Sequence, residues 1–243
     1  MNTDINWQIE FHDSLPSTND YCIKQAELNS HINLAISAKK QTKAKGSRGR
    51  QWYEPNGNLA LSFLFWPPNF NGHKYCWIPF VASLALYDTI LPLCKKNLVI
   101  KWPNDLLYNQ KKLAGILIEN SIDYPGIIRW VVIGLGVNIY EAPILKDKET
   151  ACIKDFTSEP PSIIELTKTI KNHLSKWLQF LIEGYEPLIR STWLKYSIPI
   201  GTFINVKTNV ENLKGIYQGI DDRGNLLLKT QADLKKLSVA QIF

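Results

Sequence analysis

One segment of this 243-residue chain constrains the fold most, because polar groups there interrupt two apolar runs. The β-branched run 98–102 is typical of a strand, and residues 112–119 form a second apolar run that begins with a lysine. Groups that connect two such runs gather at the mouth of a sheet, where a ligand has access. We therefore expect a site there, built from Lys101, Pro103, Asn104, Asp105, Lys112 and Gly115.

Composition places the chain among folded soluble proteins, with 45% hydrophobic and 21% charged residues. We expect neither a membrane span nor a secretory signal, because no run of about 18 apolar residues is evident and the N-terminus lacks a basic and an apolar signal region. The four cysteines form no CxxC pair, which indicates free thiols in a reducing cytoplasm. The net charge of +6 is compatible with anionic small molecules, nucleic acid or an acidic protein partner.

Hydrophobic patterning over the first 197 residues predicts both helices and strands, the mixture typical of an α+β fold. Ser17 is a candidate N-cap for a helix that ends near Leu28, and Asp20 stands where a capping box has its acidic residue. Residues 39–56 are polar and contain glycine, so we expect a long functional loop. The other predicted elements are strands at 34–37, 59–65, 98–102 and 130–137, a buried helix at 77–93, and an amphipathic helix that Ser162 caps and Gly184 ends.

The pattern changes near Pro199, after which short alternating stretches replace the longer runs. These stretches are typical of strands and lie at 203–207, 213–217 and 226–229, with a turn at 221–225. We therefore expect two domains, a mixed-sheet domain at 1–197 and a small all-β domain at 198–243 that packs on it.

The loop that follows Gln41 alternates basic with small residues and ends in an aromatic side chain. Glycines expose backbone amides to phosphate, basic side chains neutralise phosphate, and Trp52 can stack on adenine. The alternative is a basic flexible loop that binds nothing in particular. The candidate phosphate and adenine contacts are Lys45, Gly46, Ser47, Arg48, Gly49, Arg50 and Trp52.

Two further segments carry candidate ligand contacts. The first starts a predicted helix, where free backbone donors and hydroxyl groups lie together. The second is a GxGxN sequence at the end of the 130–137 strand, where glycines commonly mark close backbone approach. Each segment alone also has a purely structural interpretation, a helix cap and a β-bulge. The candidates, with one polar residue of the loop, are Ser17, Thr18, Asn19, Gln41, Gly134, Gly136 and Asn138.

Together these motifs resemble the biotin–protein ligase (biotin–[acetyl-CoA-carboxylase] ligase) family over about residues 13–243. The resemblance implies a class II synthetase-like catalytic domain at 1–197 and an SH3-like β-barrel at 198–243. It implies a cytoplasmic enzyme that forms biotinyl-5′-AMP from biotin and ATP with Mg²⁺. It implies transfer of biotin to a lysine of a biotin carboxyl carrier domain of a carboxylase, and it allows a homodimer. No DNA partner is implied, because only about a dozen residues precede the first motif.

The resemblance also implies roles for the candidate residues. Activation of a carboxylate by ATP needs positive charge beside the phosphates and exclusion of water. The implied catalytic residues are Lys112, Lys101, Asp105 and Arg48, with Lys112 at the carboxylate and α-phosphate and Asp105 as Mg²⁺ ligand or proton acceptor. The implied biotin contacts are Ser17, Thr18, Asn19, Gln41, Lys112, Gly115, Gly134 and Gly136. The implied ATP or adenylate contacts are Lys45, Gly46, Ser47, Arg48, Gly49, Arg50, Trp52, Asn104 and Asn138.

The basic loop departs from the family pattern at three positions. Ala44 and Lys45 stand where glycine and arginine are usual, and Ser47 stands where an arginine is common. Lys45 keeps the charge without the bidentate fork of arginine, and Ser47 lacks the charge. We therefore hypothesise that the loop releases some biotinyl-adenylate to solvent.

Three rival functions remain at this point. A lipoate or octanoate transferase shares the fold, but its substrate lacks the ureido ring that Ser17, Thr18, Asn19 and Gln41 would bind. A non-catalytic biotin or adenylate binder would explain the altered loop. A basic RNA-binding module has only the net charge and Trp52 in its favour.

Overall fold

The computed structural model describes residues 5–28, 31–53, 55–94, 96–145, 149–238 and 241–242. The strands of its main sheet are β1 Gln8–His12, β2 Leu34–Ala38, β3 Leu59–Phe65, β4 Leu98–Lys101, β5 Asp105–Tyr108, β6 Lys111–Asp123 and β7 Ile127–Val137. They lie in the order β1-β2-β3-β7-β6-β5-β4. The pair β1 and β2 is parallel and the other neighbours are antiparallel, so the predicted mixed sheet is confirmed.

One face of this sheet is covered by helices that enclose a continuous apolar core. The helices of the fold are α1 Thr18–Glu27, α2 Gly72–Tyr75, α3 Ile78–Cys94, α4 Ile163–Ile182 and α5 Glu186–Tyr196. Helix α3 lies against the sheet and packs in turn on α4 and α5. The run Gly72–Cys94 is long and apolar enough to cross a membrane, a property that the sequence analysis did not identify. However, 67% of its most apolar stretch is buried inside the protein, and most of the run is the core helix α3.

The opposite face of the sheet is only partly covered, and this creates the space for a site. Helix α1 packs Cys22 and Ala26 on one end of that face, against Ile36 and Leu64. At the other end the cross-strand neighbours are small: Ala60 of β3 is paired with Gly136 of β7, and Gly136 is paired with Gly115 of β6. Because directly opposite residues share a face of a sheet, this end stays open.

The two predicted helix caps form, but one differs in detail. The Ser162 hydroxyl accepts from the Glu165 backbone N–H, and the Glu165 carboxylate accepts from the Ser162 backbone N–H, which is a full capping box. The Ser17 hydroxyl accepts from the Asp20 backbone N–H, as expected. The Asp20 carboxylate, however, binds the ammonium of Lys45 instead of completing a capping box.

The C-terminal residues form a second, smaller antiparallel sheet. Its strands are β8 Phe203–Lys207, β9 Asn212–Ile220, β10 Leu226–Lys229, β11 Leu234–Leu237 and β12 Gln241–Ile242. They lie in the order β11-β10-β9-β8-β12. The sheet is fixed to the main domain where the Trp102 indole N–H donates to the Gly224 carbonyl at 3.0 Å and the Arg190 guanidinium donates to the Ile220 carbonyl. The predicted α+β class with a small C-terminal β-domain is confirmed.

Candidate active site

A cavity of about 810 Å³ opens on the uncovered face of the main sheet. Its wall contains most of the residues that the sequence predicts as ligand contacts: Ser17, Thr18, Asn19, Gln41, Lys45, Gly46, Ser47, Arg50, Trp52, Asn104, Lys112, Gly115, Gly134, Gly136 and Asn138. Five predicted residues lie outside this wall, namely Lys101, Pro103, Asp105, Arg48 and Gly49. The fold therefore gathers four distant sequence segments around one space.

A buried cluster of hydroxyl and amide groups forms the inner end of the cavity. The Gln41 side-chain oxygen accepts from the Thr18 backbone N–H at 2.8 Å and lies 3.1 Å from the Thr18 hydroxyl oxygen. The Ser62 hydroxyl oxygen lies 2.7 Å from that of Thr18 and 2.6 Å from the Asn19 side-chain oxygen. The Asn19 side-chain N–H donates to the Glu119 carboxylate at 2.7 Å. Fixed polar groups of this kind suit a neutral polar ligand.

The glycines of β6 and β7 make the floor of the cavity, since no side chain fits above them. A Cβ atom on Gly134 would overlap the Asn19 side-chain amide. A Cβ atom on Gly136 would lie 2.5 Å from the Trp52 indole, and one on Gly115 would lie 3.0 Å from the same ring. The three glycines therefore let Asn19 and Trp52 lie directly on the sheet.

The charged groups at the edge of the cavity form one cluster around Lys112. The Lys112 ammonium donates to the Asp105 carboxylate at 2.5 Å and lies 5.4 Å from the centre of the Trp52 ring. Both members of the pair are largely buried, with side-chain exposures of 18% and 14%. Burial lowers the pKa of Lys101, Asp105 opposes this shift, and the charge of Lys112 adds to it. Asp105 thus neutralises part of a two-lysine cluster.

The basic loop is held in shape by contacts of its own. The Gly46 backbone N–H donates to the Arg50 carbonyl at 2.7 Å, and the Trp52 backbone N–H donates to the Ala44 carbonyl at 3.3 Å. The Arg50 guanidinium donates to the Ser47 hydroxyl at 3.0 Å. The Lys45 ammonium binds Asp20 at 2.5 Å, which ties the loop to helix α1.

The side-chain oxygen of Asn138 is a buried hydrogen-bond acceptor for which the described residues supply no donor. Its side-chain N–H donates to the Ala151 carbonyl at 2.9 Å. Its side-chain oxygen is buried and has no hydrogen-bond partner among the residues that the structure describes. A buried acceptor without a donor is costly, so this atom beside the cavity suits a ligand N–H group.

The residues that the structure describes do not form a dedicated metal site. No group of three or more His, Cys, Asp or Glu side chains in the described part of the chain lies close enough to hold a metal ion. The predicted ligand Asp105 is bound to Lys112. A Mg²⁺ ion held largely by substrate phosphates needs no such cage.

Several residues of the site were not predicted from the sequence. Ser62 and Glu119 belong to the buried cluster, and Lys207 and Asn212 reach the cavity from the C-terminal sheet. Ser62 carries a signal in hindsight, since it is a polar residue inside an apolar strand, and Glu119 directly follows the apolar run of β6. No sequence signal places Lys207 or Asn212 at the cavity.

Comparison with known proteins gives one consistent result. Residues 11–138 match the model of the biotin/lipoate A/B protein ligase family, and residues 200–243 match that of the biotin protein ligase C-terminal domain. The chain is 33% identical to the biotin–[acetyl-CoA-carboxylase] ligase of Paracoccus denitrificans, over 86% of this chain and 89% of that protein. It is 30% identical to the bifunctional ligase/repressor BirA of Bacillus subtilis, over 96% of this chain and 72% of that protein.

A solved structure shares the fold over nearly the whole chain. The biotin protein ligase from Aquifex aeolicus in complex with biotin and ATP superposes with a TM-score of 0.82 at 21% identity, over 97% of this chain and 98% of that one. From these family matches and from the identity to full-length relatives, the chain belongs to the biotin/lipoate A/B protein ligase family.

Proposed function

We propose that this protein is an ATP-dependent biotin–protein ligase. It forms biotinyl-5′-adenylate and pyrophosphate from biotin and ATP, and then transfers biotin to a lysine of a biotin carboxyl carrier domain. The observation that carries the proposal is the single cavity that joins the hydroxyl and amide cluster at Thr18 to the ammonium of Lys112. The relatives named as biotin–[acetyl-CoA-carboxylase] ligases support the same reaction.

The inner end of the cavity fits the ureido ring of biotin. That ring offers a carbonyl acceptor and two N–H donors, and the rest of biotin is largely apolar. Ser17, Thr18, Asn19 and Gln41 supply polar groups of both kinds, while Leu117 and Trp52 supply apolar wall. The Ser17 hydroxyl accepts from the Asp20 backbone N–H, so its proton remains for a ligand carbonyl.

In the first step a carboxylate oxygen of biotin attacks the α-phosphorus of ATP. The new O–P bond replaces the bond to pyrophosphate, which leaves with its electron pair. Lys112 supplies positive charge beside the oxygens that gain charge, and Asp105 holds its ammonium in place. The glycine floor lets the two substrates lie close to the sheet and to each other, which favours the reaction through proximity.

In the second step the acceptor lysine amine attacks the biotinyl carbonyl carbon. The C–N bond forms, the C–O bond to AMP breaks, and one amine proton is lost. Asp105 lies beside Lys112 and is the proposed acceptor of this proton. Its ion pair with Lys112 also supports a role in positioning the Lys112 ammonium.

We assign the adenine to Trp52 and Asn138. The Asn138 side-chain oxygen lacks a donor among the described residues, and the adenine amino group is such a donor. The Trp52 indole has a π-face that suits stacking on a purine. Asn104 lines the same cavity and is a further proposed nucleotide contact, in addition to those of the basic loop.

The remaining parts of the proposal concern metal, partners and location. Mg²⁺ would enter with ATP, held mainly by phosphate oxygens, since the described residues form no metal cluster. The carboxyl carrier acceptor, a homodimer, a cytoplasmic location and the absence of DNA binding stay predictions. The domain boundary between residues 197 and 198 also stays a prediction.

Transfer to a purified biotin carboxyl carrier domain tests the proposed activity. With ATP, Mg²⁺ and biotin, the acceptor should gain one biotinyl group, seen by intact-protein mass spectrometry. An acceptor whose target lysine is replaced by arginine is the control. Incorporation of lipoate in place of biotin would assign the chain to the rival transferase class.

A further inference from the structure

Ser62 and Glu119 are polar residues that lie behind Thr18 and Asn19 and do not line the cavity themselves. We infer that they are positioning residues that determine the preference for a ureido ring, because they fix which hydrogen-bonding groups Thr18 and Asn19 offer to the ligand. This inference rests on the proposed function and deepens it.

The contacts of Ser62 are short and fully buried, and the contact of Glu119 with Asn19 is short and partly buried. Ser62 has no exposed surface, and Thr18 and Asn19 are 3% and 4% exposed. The Ser62 hydroxyl oxygen lies 2.7 Å from the Thr18 hydroxyl oxygen and 2.6 Å from the Asn19 side-chain oxygen. Water cannot replace partners at such a position, so every proton in the chain of contacts must have a protein acceptor or a ligand.

Glu119 fixes the orientation of the Asn19 amide. The Asn19 side-chain nitrogen lies 2.7 Å from the Glu119 carboxylate, which only accepts hydrogen bonds when ionised. The nitrogen must therefore face Glu119, and the Asn19 oxygen must face Ser62. Because that oxygen only accepts, the single proton of the Ser62 hydroxyl is directed to Asn19.

The same reasoning about protons determines whether the Thr18 hydroxyl donates a hydrogen bond to the ligand or accepts one from it. Since the Ser62 proton is used by Asn19, the 2.7 Å contact between the two hydroxyl oxygens must be made by the Thr18 proton, with the Ser62 oxygen as acceptor. Without Ser62, only the longer 3.1 Å contact with the Gln41 oxygen would hold this proton. The Thr18 oxygen can therefore meet a ligand only as an acceptor.

An acceptor at Thr18 selects for a ligand with an N–H group at this position. A ureido ring has two such groups, whereas lipoate and octanoate have none. Leaving a buried acceptor unpaired destabilises the complex, so acids without the ureido ring are disfavoured. Ser62 and Glu119 exert this selection without touching the ligand.

The variant Ser62→Ala tests the inference, with Ser37→Ala as the matched control. Ser37 is a buried serine of the neighbouring strand, 1% exposed, whose hydroxyl has no partner in the described structure. Its register partner is Leu61, so it faces the other side of the sheet from Ser62. Biotin-dependent ATP–pyrophosphate exchange gives KM for biotin, KM for ATP and kcat for the full-length variants.

We expect Ser62→Ala to raise KM for biotin about tenfold, the loss typical of one buried hydrogen bond. KM for dethiobiotin, which keeps the ureido ring, should rise by the same factor. KM for ATP should change little, and Ser37→Ala should match the wild type. The melting temperature of Ser62→Ala should fall slightly, because Asn19 loses a buried partner. The affinity ratio of biotin to octanoate, measured by competition, should fall by the same tenfold.

Variants of Glu119 give a second, independent test. Glu119→Ala removes the acceptor that orients Asn19 and should raise KM for biotin as Ser62→Ala does. Glu119→Gln keeps an acceptor oxygen and should restore most of the biotin affinity. Rescue by the conservative variant separates an orienting contact from simple loss of packing.

Two results would overturn the inference. An unchanged KM for biotin in folded Ser62→Ala and Glu119→Ala would show that neither residue acts on the ligand. An equal loss for biotin, octanoate and ATP would show a general structural role. If the wild-type protein shows no biotin-dependent exchange, the proposed function fails and this inference fails with it.

Discussion

At the scale of single residues, the Lys112–Asp105 pair places a positive charge in the cavity, where a carboxylate and a phosphate would bind. Lys112 is mostly buried, points to the cavity and has one carboxylate partner. Its neighbour Lys111 is directed outward, where it lies 3.6 Å from Glu149. Two adjacent lysines therefore offer a direct comparison of a site residue with a surface residue.

Lys112→Met should remove the charge while keeping most of the side-chain volume. We expect biotin-dependent pyrophosphate exchange to fall by about 100-fold or more, the effect typical of removing one group that stabilises transition-state charge. Lys111→Met is the control and should retain wild-type exchange. Equal activity in both variants would exclude Lys112 from the adenylation step.

Alanine substitutions at Gly134 and Gly136 should weaken the binding of different substrates. Gly134→Ala forces the Asn19 amide to move and should raise KM for biotin, whereas Gly136→Ala displaces Trp52 and should raise KM for ATP. We expect about tenfold in each case, since one misplaced contact costs on the order of 1–3 kcal/mol. Gly72→Ala, where a Cβ atom would meet nothing within 4 Å, is the control. If both variants changed KM for biotin and KM for ATP in the same way, the two glycines would not have these separate roles.

Single residues show what the sequence could and could not predict. Gly134, Gly136 and Asn138 stand in one short motif, and the structure brings them to the cavity as expected. Ser62 and Glu119 have no motif, because their role depends on contacts 43 and 100 residues away in the chain. Such contacts follow from strand register, which local patterns do not specify.

At the scale of elements, the basic loop is more ordered than its composition indicates. Its backbone hydrogen bonds, the Lys45–Asp20 ion pair and the contact of Arg50 with Ser47 hold it beside the cavity. Ser47 departs from the family pattern, but its hydroxyl also accepts a hydrogen bond from Arg50 that helps to hold the loop. Exposed ion pairs contribute little stability, so the Lys45–Asp20 pair alone does not account for this order.

Ser47→Arg tests whether this departure loosens retention of the intermediate. The added guanidinium should pair with the adenylate phosphate and slow its release, by roughly tenfold if one charge-assisted contact forms. Release is measured as free biotinyl-adenylate that appears during turnover without acceptor. Ser191→Arg, an exposed position on α5, controls for the added charge. Negligible release by the wild-type protein would refute the hypothesis.

The elements that the sequence predicted share strong local signals. The strand Leu59–Phe65 and the capped helix Ile163–Ile182 carry clear hydrophobic patterns, and the structure places both within a residue of the prediction. The missed elements include Gln8–His12, Asp105–Tyr108 and Glu186–Tyr196, which are short or polar. The first two depend on pairing with neighbouring strands, so tertiary contacts decide their structure.

At the scale of the whole molecule, the C-terminal sheet is part of the site as well as of the fold. Lys207 and Asn212 line the cavity, and Gly224 lies against Phe80 of α3 and accepts from Trp102. The sequence predicted that this unit packs on the main domain. It could not predict which residues face the cavity, because that depends on how two separate sheets are oriented.

Gly224→Ala should loosen the docking of the C-terminal sheet. A Cβ atom there would lie 2.5 Å from the Phe80 ring, and Gly224 also has a positive φ of +76°. Gly201→Ala is the matched control, since Gly201 has φ of +95° and open space around it. Denaturant unfolding should show that Gly224→Ala loses more stability, by about 1–3 kcal/mol, because overpacking adds to backbone strain. Equal losses would show that the contact with Phe80 contributes nothing.

ATP–pyrophosphate exchange, measured with biotin, with lipoate and with neither acid, tests most directly that this chain activates biotin. It reports formation of the mixed anhydride and does not require the acceptor protein. We predict exchange that depends on biotin and is absent with lipoate. Exchange with lipoate alone, or biotin binding without any exchange, would contradict the proposed ligase activity.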